Sequence, residues 1–199
     1  MHDLKTVVKV GGSLFDWPEL GQRLGQWLDS HASKKILLVP GGGPTVDVIR
    51  SFDQWHGLGE EAAHWLALRA LTVNAHFLAT ILTTFYSSKP VVIADLQEAD
   101  AIWTQQGIPI LDPFPFAQID EHQPGRLPHS WSVTSDSLVA RVAVRLEARQ
   151  LVLIKSTYVP PDWMDPTRGI VDSYFESIIR SAQSMADLSL SVSAVNLRG

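Results

Sequence analysis

The feature that most constrains this chain is a pair of short apolar runs that each end in a cluster of glycines. Residues 6–10 (TVVKV) lead into Gly11-Gly12-Ser13. Residues 35–39 (KILLV) lead into Pro40, Gly41-Gly42-Gly43 and Pro44. Neither run alternates polar with apolar residues, which is the pattern of strands buried on both faces of a parallel sheet. Ligands of open α/β sheets gather outside the carboxyl ends of the strands, and both glycine clusters fall there. Glycine permits positive φ and lets backbone N–H groups approach an anion closely. A helix opening just beyond adds its partial positive charge, and Pro44 suits a first helical turn. Tight turns alone would also explain a glycine pair. The doubling of the motif, with Lys9 two residues before Gly11-Gly12, favours phosphate chemistry. Neither junction fits G-x-x-x-x-G-K-[ST] or G-x-G-x-x-G.

Further apolar blocks lie at 91–94, 108–111 and 151–154. Helical spacing predicts helices over 19–30, 45–52, 60–86 (with room for one break) and 135–149. The alternation predicts one domain over residues 1–199, a three-layer α/β/α sandwich with a mainly parallel central sheet. Residues 189–197 alternate polar with apolar and suit a late strand near an edge. The proline-rich stretch 112–130 reads as a surface loop and 156–170 as irregular. Residues 169–175 read as an apolar plug with one carboxylate, Asp172.

Of the 199 residues, 45% are hydrophobic and 19% charged, enough for a packed core. A net charge of −5 argues against nucleic acid as a partner. There is no cysteine, so thiolate chemistry and disulfides are excluded. The seven histidines include no H-E-x-x-H and no ligand pair three to five apart, so no protein-held metal is expected. No G-x-S-x-G elbow occurs. The start, Met1 to Lys5, reads as mature protein, and no apolar run approaches the ~20 residues that span a bilayer. The expectation is a cytoplasmic protein with no membrane partner. Seven tryptophans and a long apolar helix make a homo-oligomer the expected assembly.

Lys9-Val10-Gly11-Gly12-Ser13, Gly41-Gly42-Gly43 and, later, Thr134-Ser135-Asp136-Ser137-Leu138-Val139-Ala140 together resemble the amino-acid kinase superfamily, in its order, across roughly residues 5–159. The resemblance implies transfer of the γ-phosphoryl of ATP, with Mg2+, directly to a small phosphate or carboxylate acceptor. It implies Lys9, Asp136 and Lys155 as catalytic residues, Asp136 holding the lysines in place. Gly11, Gly12, Ser13, Lys155, Ser156 and Thr157 would bind the nucleotide. Gly41, Gly42, Gly43, Trp65, Arg69 and Ser135 would bind the acceptor. Lys155 also stands on its own as a cation at the end of the 151–154 strand. The two glycine turns are expected to face each other across a gap wide enough for a phosphoryl group. The sequence departs from the family at Tyr158 and Pro160-Pro161, where many members carry an Asp and an Asp-Gly.

Within the superfamily the chain is similar to the short aminomethylfuran phosphate kinase branch, through His64-Trp65-Leu66-Ala67-Leu68-Arg69-Ala70. That similarity implies a phosphate monoester acceptor in one-carbon cofactor metabolism. Trp65, Arg69, Thr72 and His76 share one helical face that could hold a ring and its phosphate. A binding or storage protein on the same fold, or a kinase for uridylate, isopentenyl phosphate or a carboxylate, would keep the glycine turns as well.

Overall fold

A computed structural model describes residues 4–31, 35–184 and 189–199; Met1–Asp3, on which the reading of the start rests, lie outside them. Six parallel strands form one sheet in the order β3-β4-β2-β1-β5-β6. They are β1 (Lys5–Val10), β2 (Lys35–Pro40), β3 (Pro90–Ile93), β4 (Ile108–Leu111), β5 (Gln150–Lys155) and β6 (Ser191–Asn196). The helices are α1 (Leu20–Asp29), α2 (Gly43–His56), α3 (Glu60–Phe85), α4 (Ala99–Thr104), α5 (Pro113–Asp120), α6 (Ser135–Arg145) and α7 (Ser173–Ser184).

The period of two along each strand sorts the core into two layers. Val7, Leu37, Val39, Leu151 and Leu153 face one cluster, with Leu138, Val139 and Val142 of α6 and Phe175 and Ile179 of α7. Val8, Val10, Leu38, Val152 and Ile154 face the other, with Leu20, Leu24 and Leu28 of α1. Helices on both faces of a parallel sheet make the expected sandwich, and continuous apolar strands follow from double burial. β1 lies between β2 and β5, so the chain leaves it in both directions. That is a topological switch point, where the carboxyl ends of neighbouring strands diverge and leave a crevice.

Three differences from the sequence reading have physical reasons. The stretch 112–130 begins with a helix, α5, instead of a loop: Asp112 caps it by accepting from the Phe114 N–H at 3.0 Å. Pro113 and Pro115 sit in its first turn, where N–H groups have no intrahelical partner to lose. α3 runs unbroken for 26 residues. It is also long and apolar enough, by length and composition, to cross a bilayer. Its Leu68, Leu71, Ala75, Leu78 and Leu82 are buried in the two clusters. α6 stops at Arg145, where the chain turns through Glu147 at φ 56° and Ala148 N–H bonds back to Ala143 O. The strand expected at 189–197 is β6, at the sheet edge, paired parallel to β5 from Gln150↔Ser191 to Lys155↔Asn196.

Candidate active site

Strand alternation decides where the two lysines go. Lys9 has the parity of Val7, and Lys155 that of Leu153, so both leave the sheet on the face that α6 covers. The N-terminus of α6 then delivers Asp136 between them. Lys9 Nζ lies 2.6 Å and Lys155 Nζ 2.8 Å from the same Asp136 Oδ1. Lys9 and Asp136 are almost wholly buried. Burial works against charge on Asp136, but the two ammonium groups outweigh it and hold its carboxyl below the usual value. Lys155 moves the other way. Burial, and then the Lys9 charge, pull it down to about 8 against the attraction of Asp136 and Asp172. Its ammonium also donates to Ile170 O at 2.6 Å.

Asp172 fixes the helix that carries Asp136. It accepts from Thr134 N–H and Oγ1 at 3.0 and 2.6 Å, from Ser137 N–H and Oγ at 3.1 and 2.5 Å, and from the first-turn N–H groups of Tyr174 and Phe175 in α7. One carboxylate thus caps two helices, where their dipoles favour it. Thr134 completes the α6 cap by accepting from Asp136 N–H at 3.1 Å. The segment 169–175 therefore does more than plug the core with Val171 and Phe175.

The two glycine turns touch, where a gap was expected between them. A Cβ on Gly12 would lie 2.1 Å from Gly43 N, and one on Gly43, at φ +56°, would lie 2.2 Å from Gly12 O. Only glycine fits either position. The Gly11 N–H is spent on Ile154 O and the Gly41 N–H on Val10 O, both at 2.8 Å. Gly11 and Gly41 therefore shape the turns, and their N–H groups are not free for a phosphate. Gly12 and Gly43 open the short Gly12–Leu14 turn and α2, and Gly42 caps α2, so their N–H groups lie where helices lack internal partners. Asn74, buried in α3, clamps the second turn by donating to Gly41 O and Gly42 O at 2.8 and 2.7 Å. Thr45 Oγ1 supports it from α2 through Gly42 O and Asn74 Oδ1. Ser13 and Ser156 meet at 2.7 Å between their hydroxyls, bridging the ends of β1 and β5. Thr157 and Tyr158 follow, both exposed. Arg198 reaches the first turn from the far end of the chain, donating to Ser13 O at 3.1 Å and pairing with Asp16.

Beside the second turn lies a cavity of about 190 Å³. Gly42, Gly43, Thr134 and Ser135 form its inner end. Apolar walls come from Val46, Leu68, Leu71, Phe116, Val133 and Leu138, and Arg50, Arg126, Glu121 and His129 stand at its outer rim. Trp65 and Arg69 are not among the lining residues. Trp65 donates to Glu61 Oε1 at 2.8 Å and meets Phe114 edge-on, and Arg69 lies over the Phe114 ring at 4.1 Å. Thr72 donates to Asp112 at 2.6 Å. That face of α3 is occupied by α5. The neighbouring face, with His64, Ala67, Leu68 and Leu71, turns to the cavity.

Residues 5–158 match the Amino acid kinase family. The chain belongs to that family. Among curated proteins, [5-(aminomethyl)furan-3-yl]methyl phosphate kinase of Methanocaldococcus jannaschii is 28% identical over 151 residues, 74% of this chain and 63% of that protein. The chain thus spans less than two thirds of that relative's length. Three solved structures share the fold. UMP kinase from Ureaplasma parvum has a TM-score of 0.70 at 13% identity, covering 100% of this chain and 92% of its own. Uridylate kinase from Archaeoglobus fulgidus has 0.61 at 19%, covering 89% and 87%. Carbamate kinase from Giardia lamblia bound to AMP-PNP has 0.59 at 11%, covering 99% and 93%.

Sequence reasoning missed Asn74, Arg198 and the cavity walls. Asn74 had a legible signal, a polar residue on the apolar stripe between Leu71 and Leu78. Arg198 had none.

Proposed function

We propose that the protein is an ATP-dependent kinase that moves the γ-phosphoryl group directly to a small anionic acceptor held in the cavity. The observation that carries this reading is the Lys9–Asp136–Lys155 cluster at the switch point, beside the contact of Gly12 with Gly43. Phosphoryl transfer needs positioning and charge neutralisation more than covalent chemistry. Lys9 and Lys155 supply fixed cations in a site with little water, where they act more strongly than in bulk solvent. Asp136 holds both and leaves one positive charge in excess. The amides of Gly12, Gly42 and Gly43 orient phosphoryl oxygens, and Ser13 and Ser156 lie on the nucleotide side. Mg2+ fits this site as the partner of ATP phosphates. Asp136 is committed to the lysines, and no group of three or more His, Asp or Glu side chains able to hold a metal occurs among the described residues.

The acceptor reading follows the cavity. Its inner end offers amides and hydroxyls to an anion and its walls are apolar, which suits the phosphate monoester of a small ring, as in the Methanocaldococcus relative's name. A screen of ADP release over phosphate monoesters, carboxylates and nucleoside monophosphates tests it. Turnover with a ring-bearing monoester and its loss in Lys9→Ala support the reading. A folded wild-type protein that releases ADP with none of them removes it, in favour of a binding protein.

The assembly is proposed to be a homo-oligomer in the cytoplasm. Val48, Phe52 and Trp55 project from α2 at helical spacing, and Val73 and Phe77 from α3, all well exposed. A second copy meeting this two-helix face about a two-fold axis would cover it with the same residues.

A further inference from the structure

The wall of the cavity opposite α3 is an irregular segment between α5 and α6, and it is built unlike the other loops. Both of its roots are fixed by charged side chains, one pair of them buried. At one end Arg141 of α6 donates to both oxygens of Asp120 at 2.8 Å and to Pro124 O at 2.8 Å. At the other, Thr134 is bound by Asp172. Between these anchors, Leu127, His129, Ser130, Trp131 and Val133 face the cavity. We propose that residues 126–133 are a lid over the cavity, latched by three consecutive side chains to three carboxylates at the corner between α2 and α3. This rests on reading the cavity as the acceptor site.

The latch is explicit. His129 Nδ1 lies 2.5 Å from Glu61 Oε2, Ser130 Oγ donates to Glu60 Oε1 at 2.9 Å, and Trp131 Nε1 donates to Asp53 Oδ2 at 2.7 Å. Arg50 of α2 covers the Trp131 ring at 4.8 Å. Because the keepers sit on α2 and α3 and the roots on α5 and α6, the latch ties the lid across the cavity, helped by the stacking of His129 on His64 of α3 at 4.2 Å. The second nitrogen of His129, Nε2, lies 2.9 Å from Glu121 Oε2. Two carboxylates on two ring nitrogens are both satisfied only by the doubly protonated imidazolium. Every charged group facing His129 bears on its proton. Burial opposes it, but Glu61 on α3 and Glu121 at the lid root together outweigh burial and raise its pKa. Arg126 is paired to Glu121, and the stacked His64 ring is driven down to about 4 by burial and by His129, so it stays neutral. The lid is therefore latched while His129 is charged and loosens as pH rises through its titration.

Hydrogen–deuterium exchange of the ligand-free full chain tests this from both sides of the latch. Asp53→Asn with Glu61→Gln turns an amide toward the lid's donors, yet leaves an oxygen for Gly59 N–H and for Trp65. His129→Gln with Ser130→Ala weakens two of the three latch bonds from the lid side and leaves Trp131 on Asp53. Each pair is expected to speed exchange at residues 127–133 by about five- to tenfold while β1, β2 and α6 keep their protection. In wild type the same amides are expected to gain intrinsic-rate-corrected exchange as pH rises past the His129 titration, and in His129→Gln they are not. Unchanged exchange at 127–133 in both pairs, or a rise spread evenly over the chain, overturns the lid. Steady-state rates add a separate arm. Both pairs are expected to change KM for the acceptor and leave KM for ATP alone. A wild-type protein without turnover on any acceptor ends the kinase reading, while the exchange data still decide the lid.

Discussion

Replacing Asp136 with Asn isolates the one anion between two buried cations. Asn keeps an oxygen near Lys9 and Lys155, whose ammonium groups sit 2.6 and 2.8 Å from Oδ1, removes the charge and replaces Oδ2 with an amide NH2. Stranding buried charges in this way costs about 3–5 kcal/mol. At about 2–4 °C per kcal/mol for a chain of this size, the melting temperature at pH 7 should fall by roughly 6–20 °C. The loss has a signature in pH. On the alkaline side, Lys155, already down at about 8, can shed its proton. Each pKa unit given up costs about 1.4 kcal/mol, so the gap between wild type and variant should narrow from pH 7 to 9.5. On the acid side, Asp136 has its pKa lowered on folding. Its contribution is present above the unfolded carboxylate value and lost as pH falls through the folded one. The gap should therefore close again only below the ordinary carboxylate range. Thermal melts of both proteins from pH 3 to 9.5, with ADP release at pH 7, check this. Turnover should drop on the order of 10²–10³-fold as the lysines lose their placement. A gap that stays constant across pH, or under about 1 kcal/mol at pH 7, would refute the claim that this carboxylate serves two buried cations.

Gly43→Ala should be far more damaging than Gly57→Ala. Both glycines have left-handed φ, costing about 1–2 kcal/mol, but only at Gly43 does a Cβ meet backbone, 2.2 Å from Gly12 O, whereas nothing lies within 4 Å of one at Gly57; urea melts of the pair read the difference, and equal losses contradict the contact. The kcat/KM for ATP should fall as pH rises through about 8, because free Lys155 loses its charge there, while kcat should hold to higher pH once phosphates pair with it. Val73→Lys with Phe77→Lys should reduce the mass measured by light scattering to that of one chain without unfolding the protein; an unchanged mass places the assembly elsewhere.

What could be read in advance divides by the range of the forces involved. The glycine turns, the doubly buried strands and α1 were legible because each is specified within about ten residues by composition and period. α5 was not, because prolines that favour a first turn look the same on paper as prolines that prevent a helix; Asp112 decided between them. α7 did carry a signal, in Phe175, Ile179 and Ala182 at helical spacing, which are its buried face. The site is harder to read. A carboxylate in the first turn of a helix is ordinary. Asp136 differs only by lysines 127 and 19 residues away, and the family resemblance pointed to it where local pattern could not. Trp65 and Arg69 show the converse. They share a helical face, as their spacing says, but that spacing is silent about which neighbour covers it. The touching of Gly12 and Gly43 is likewise a matter of strands adjacent in the sheet.

The arrangement ties chemistry to topology through charge. A lysine on an inner strand of a parallel sheet costs several kcal/mol to desolvate unless an anion meets it. The alternation that buries Val7 and Leu153 also buries the stems of Lys9 and Lys155 on the same face, so one anion must serve both, and the N-terminus of α6 is the element that delivers it. Asp172, the other nearby carboxylate, is held by six donors from the α6 and α7 starts, which keeps it from neutralising the lysines outright. The cluster is left one negative charge short, beside the helix-start amides of Gly12 and Gly43. An imbalance of this kind suits a bound anion, and on the proposed kinase reading a phosphoryl group passing between two oxygens brings the missing charge at the moment its own negative charge must be stabilised.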